Sequence, residues 1–130
     1  MNRSRPLGLP RVGWLALALT SVALQLWLLY STRPPTPVTF PGADKVVHFC
    51  MFGGVAGLFL LAGARRGPVV AASLAHALIS ELIQWRWVAG RSGSPRDLVA
   101  DSAGILFAAW LAARILGPRR GHATGRHPQG

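Results

Sequence analysis

Four long apolar runs, parted by short stretches rich in proline, glycine and arginine, govern what this 130-residue chain can become. The first, VGWLALALTSVALQLWLLY at 12–30, holds no ionisable group before its terminal Tyr30. At ~1.5 Å per residue it reaches about 28 Å as a helix, the depth of a bilayer's hydrocarbon core. Similar spans are expected at about 45–63, 69–88 and 96–117. The third is the least apolar, with His76, Glu81 and Gln84 inside it. Pro34, Pro35, Pro37 and Pro41 exclude a helix from the first connector. Arg65, Arg66, Gly67 and Pro68 read as a tight basic turn, and AGRSGSP as the last connector. A cleaved leader competes for the first run, because Arg3, Arg5 and Arg11 precede it. The run is long for a leader, however, and STRPPTP offers no small-x-small cleavage site. The expectation is an all-α, polytopic four-transmembrane-helix bundle. Residues 1–11 form a basic N-terminus, 12–117 the membrane domain, and 118–130 a polar tail expected to be disordered.

Charge supports that reading. Only 14% of residues are charged, where roughly a quarter is usual in soluble proteins. The formal net charge of +10 would suit nucleic acid. The basic residues, though, sit in small groups at the ends of the apolar runs, as they do in membrane proteins, so nucleic acid is rejected as a partner. With the N-terminus inside, nine basic residues fall on the inner side and five on the outer. The bias favours both termini in the cytoplasm and a multi-pass membrane protein. The single cysteine, Cys50, is expected to be a small packing residue. Small residues at Gly53, Gly54, Ala56 and Gly57, and at Ala100, Ala103, Gly104, Ala108 and Ala109, would let the second and fourth helices approach closely.

The chain has only four acidic residues: Asp44, Glu81, Asp97 and Asp101. On this topology all lie in the outer half of the bundle, with Lys45, His48, Gln84, Arg86, Arg91 and Arg96. Asp44 and His48 are four apart, Glu81 and Gln84 three, Asp97 and Asp101 four, so each pair shares a helix face. Ionisable groups within a span turn inward and pair there. The stripes are therefore expected to meet in one polar pocket that opens outward. Plainer roles compete. Ser94-Pro95-Arg96-Asp97 makes a capping box, and Asp44 suits a helix N-cap. His76 suits core packing, and Arg86, Trp85 and Trp87 suit the membrane interface. Glu81 and Asp101 fit such roles least, since a carboxylate inside a span costs roughly 2.5–3.5 kcal/mol even on lenient scales.

DKVVHF, ELIQW and GRSGSPRDLVADSAG, in that order, resemble the VanZ-like family of small bacterial membrane proteins. The pattern is D-K-x-x-H, then E-x-x-Q, then R followed by D-x-x-x-N-x-x-G. It spans about 40–112 and falls on Asp44, Lys45, His48, Glu81, Gln84, Arg91, Asp97 and Gly104. Asp101 stands where the family usually has Asn, a carboxylate in place of a neutral amide. The family takes its name from a protein linked to teicoplanin resistance, so the resemblance implies a role at the cell envelope.

Three functions fit these residues. The pocket could bind an anionic or phosphate-bearing envelope lipid through Asp44, Lys45, His48, Glu81, Gln84, Arg91, Asp97 and Asp101. It could be catalytic, with His48 as acid or base, Asp44 orienting it, and Glu81 and Asp101 as a second acid/base pair or as ligands of a divalent cation, which the sequence permits without requiring. Or it could be a structural network in a membrane scaffold. Membrane lipids are partners on every reading, and the oligomeric state is left open.

Overall fold

The computed structural model describes residues 8–31, 40–89 and 93–117. The proline-rich connector up to position 39, the arginine at 91 with Ser92, and the C-terminal tail lie outside them. Four helices follow one another: α1 (Arg11–Tyr30), α2 (Ala43–Leu61), α3 (Arg66–Trp87) and α4 (Pro95–Leu116). Each is long and apolar enough to cross a membrane.

Local sequence sets the boundaries. α2 starts after Gly42, whose φ of 83° is a left-handed value that side chains other than glycine's resist. It ends in a Schellman arrangement: Gly63, with φ of 93°, donates to the Leu60 carbonyl, and Ala64 donates to that of Phe59. α4 starts with Ser94 as N-cap, its Oγ accepting from the Arg96 N–H at 3.2 Å, and with Pro95 in the first helical position. α3 begins earlier than expected. Arg66, Gly67 and Pro68 are helical, not a turn. A proline is tolerated there because the first-turn N–H groups have no helical acceptor in any case. Asp44 is not an N-cap either. Gly42 holds that position, and Asp44 lies in the first turn of α2.

α2 and α4 form the most intimate pair. A Cβ on Gly104 would sit 2.2 Å from the Phe49 carbonyl oxygen, and one on Gly53 would sit 2.8 Å from that of Gly104. The two backbones touch because these side chains are hydrogen atoms. Leu29, Phe52, Ala56, Ala77, Ile105 and Ala108 make the apolar core beside this seam. The outer surface carries large exposed apolar side chains on all four helices, among them Leu24, Val46, Leu82 and Phe107. In water so much exposed apolar surface would drive aggregation. Against acyl chains it has a matching solvent. The protein is a multi-pass membrane protein in contact with membrane lipids. Cys50 differs from expectation: it is exposed, in a groove beside Gly53, Gly54 and Gly57, not packed in the core.

Candidate functional site

Cross-helix hydrogen bonds show which ends meet. Lys45, near the start of α2, reaches Asp97, near the start of α4, at 3.0 Å. Glu81, in the last third of α3, accepts from the backbone N–H of Ser94 at 2.7 Å. Gln84 donates to the carbonyl of Leu29, at the end of α1, at 2.9 Å. The starts of α2 and α4 and the ends of α1 and α3 therefore lie at one pole of the bundle, and the acidic residues gather there.

His48 occupies the middle of this cluster. Its Nδ1 lies 2.9 Å from Asp101 Oδ1 and 3.9 Å from Glu81 Oε1. All three side chains are buried, Asp101 completely. The partner that orients the imidazole is thus Asp101 on α4. Asp44, one turn before His48, instead pairs with Lys45 and is exposed. Helical spacing says which residues share a face, but an inward-pointing histidine meets the helix opposite. Asp97 does not act as the acidic arm of a capping box. Its carboxylate faces Lys45.

Glu81 is held by the loop that enters α4. Gly93 packs so closely on α3 that a Cβ there would lie 2.2 Å from the Glu81 carbonyl oxygen. This close approach brings the Ser94 N–H onto Glu81 Oε2. Glu81 Oε1 and Asp101 Oδ2 are buried without a hydrogen-bond partner among the described residues. One oxygen of each carboxylate is tethered by a hydrogen bond, and among the described residues the other accepts none.

Gln84 is buried, but its bond runs to the α1 backbone and not into the carboxylate cluster. Arg96 is exposed at the first turn of α4. His76, off the shared face, is half-buried, with its ring 5.4 Å from that of Phe52. It lines a cleft of about 300 Å³ between α1, α2 and α3, together with Ser73 and Gln25. Gln25 went unnoticed in the sequence. It is 1% exposed, and neither amide atom has a partner among the described residues. The available signal was a lone amide within an otherwise apolar stretch of the first run.

Chemically, the cluster can hold a proton on an oriented imidazole, accept a cation between carboxylates, and present Lys45 at its rim. Lys45 stands where the positive ends of the α2 and α4 dipoles point outward. No curated protein and no solved structure matches the chain. A family match covers residues 11–116, all four helices and every residue of the cluster. The chain belongs to the VanZ/LLP1 family.

Proposed function

We propose that the polar pole of the bundle faces the outside of a bacterial inner membrane and binds the head group of an anionic, phosphate-bearing envelope lipid. One observation carries this reading: two helix N-termini, Lys45 and the His48–Asp101 pair converge at a single end of an otherwise apolar bundle. Helix N-termini attract phosphate through their unpaired N–H groups and dipoles. A lipid diffusing in the leaflet would meet the rim with its head group already at the right depth. Arg96 supplies further positive charge, and Arg91, five positions earlier in the sequence, is expected to add to it. At the envelope, such binding would alter susceptibility to glycopeptides of the teicoplanin type.

The test is binding of labelled anionic and zwitterionic lipids to the purified protein in detergent. Preference for the anionic lipid, reduced several-fold in Lys45→Ala and in Arg91→Ala, is the expected result. Equal binding of both lipids by all three proteins refutes the reading.

A second reading is favoured by the buried imidazole–carboxylate pair itself. An oriented histidine with a free carboxylate oxygen 3.9 Å away is equipped for proton transfer. On that reading His48 takes a proton from a water that attacks the lipid's terminal phosphate, and the P–O bond to the lipid breaks with the proton passing to the departing oxygen. Phosphate release lost in His48→Ala is the measurement that separates enzyme from binding protein.

A further inference from the structure

An acid-rich wall is an awkward place for an anion. Four carboxylates, Asp44, Glu81, Asp97 and Asp101, gather at the pole, and among the described residues Lys45 is the ammonium that answers them. Among the described residues Lys45 bonds Asp44 and Asp97. The deeper pair, Glu81 and Asp101, has the His48 imidazole between them and one unpartnered oxygen each. Carboxylates so placed inside a membrane bundle call for a cation.

We propose that His48, Glu81 and Asp97 together ligate one divalent transition-metal cation of the zinc or manganese type. The three come from α2, α3 and α4, and one ligand atom from each lies within 4.8 Å of the other two. Sites in helical bundles are built this way, from carboxylates and histidine projecting inward from facing helices. With bonds of about 2.0–2.2 Å to nitrogen and oxygen, ligand atoms around a metal stand roughly 3–3.5 Å apart. The set needs to draw in by up to about 1.3–1.8 Å, which side-chain rotation supplies. Imidazole with two carboxylates favours zinc, manganese or iron(II) over calcium and magnesium, which prefer all-oxygen sets.

The surrounding groups suit that role. Asp101 lies 2.9 Å from His48 Nδ1; with that N–H donated to Asp101 the ring is fixed and Nε2 is the nitrogen left to ligate, as with a carboxylate behind a metal-bound histidine. The Ser94 N–H anchors Glu81 Oε2, leaving Oε1 to turn inward. Lys45 neutralises Asp97 and gives up that contact when the metal arrives. Three protein ligands leave coordination positions open toward the rim. A phosphate oxygen arriving from the leaflet would fill one, so the metal turns an acidic wall into an anion site. That last step rests on the head-group reading above, whereas the metal site itself does not.

The experiment is titration of the purified, chelator-treated protein in lipid-free detergent with Zn²⁺ and with Mn²⁺, followed by calorimetry and by metal analysis after gel filtration. One equivalent is expected to stay bound. Affinity is expected to fall at least tenfold in Glu81→Gln and in Asp97→Asn, by about tenfold in Asp101→Asn, and not at all in Arg114→Gln, in the last turn of α4. Gel-filtration profiles and helical circular dichroism identify any variant that has failed to fold. The near-isosteric amide substitutions keep the test valid where His48→Ala does not fold. Binding equal in wild type, Glu81→Gln and Asp97→Asn overturns the proposal, as does no binding of either metal by the wild type. Labelled-lipid binding with and without EDTA distinguishes the two ideas. Lipid bound equally well in chelator leaves the head-group reading standing without the metal. Metal bound by a protein that ignores anionic lipid does the reverse.

Discussion

At the scale of single residues, the site separates into side chains that face the cluster and side chains that hold the helices around it. Gln84 belongs with the second group. Its amide satisfies the Leu29 carbonyl, one of the acceptors that every helix leaves unpaired in its last turn. Gln84→Leu should therefore lower stability by about 1 kcal/mol, read from thermal unfolding in detergent, and leave metal and lipid binding unchanged. A loss of binding at full stability would place Gln84 in the site instead. The sequence made Gln84 and Glu81 look alike, because residues three apart share a helix face. What it did not carry was their partners. His48 finds Asp101 across 53 residues of chain and Asp97 finds Lys45 across 52, and no local pattern encodes which side chain on an opposite helix is met. The depth of the acidic residues was legible, since burying charge in a span is costly and forces such groups together. Their pairing followed from packing, which depends on the whole bundle.

At the scale of elements, the α2–α4 seam decides where those partners fall. Backbone contact at Gly53 and Gly104 sets the separation of the two helices and hence the 2.9 Å between His48 and Asp101. The abundance of small residues announced a close pair. It did not say which glycines make the contact, because Gly54 has nothing within 4 Å of a Cβ position. Gly104→Ala is expected to destabilise the bundle by about 1–3 kcal/mol through overpacking against the Phe49 backbone, and to weaken metal binding by pushing α4 away. Gly54→Ala, facing open space, should be neutral or slightly stabilising, since alanine is the better helix former. Melting temperatures of the two variants check this directly, and equal effects would refute the seam. Helix limits were legible to within a few residues. The exception was α3, where a proline read as a turn proves to occupy the tolerant first turn of a helix.

At the scale of the whole molecule, the function depends on which side of the membrane the polar pole occupies. The hydrogen bonds show that the starts of α2 and α4 share a pole with the ends of α1 and α3, and each helix is long enough to cross. The opposite pole carries Arg65 and Arg66 at the start of α3, and Arg114 in the last turn of α4. Basic residues are retained on the cytoplasmic side, so the acidic pole is expected outside, where envelope lipids present their head groups. Cys50 is the natural cysteine, and Cys50→Ser gives a clean background for labelling. In that background Asp44→Cys should react with a membrane-impermeant maleimide added to intact cells. Arg65→Cys, exposed at the start of α3, should react only after the membrane is opened. The reverse pattern would turn the acidic pole to the cytoplasm and end its candidacy as an envelope-facing site. The metal ligands would then stand, but the leaflet they serve would be the inner one. Equal reaction at both positions in intact cells would mean that α2 does not cross at all, which its length, its apolar surface and its seam with α4 argue against.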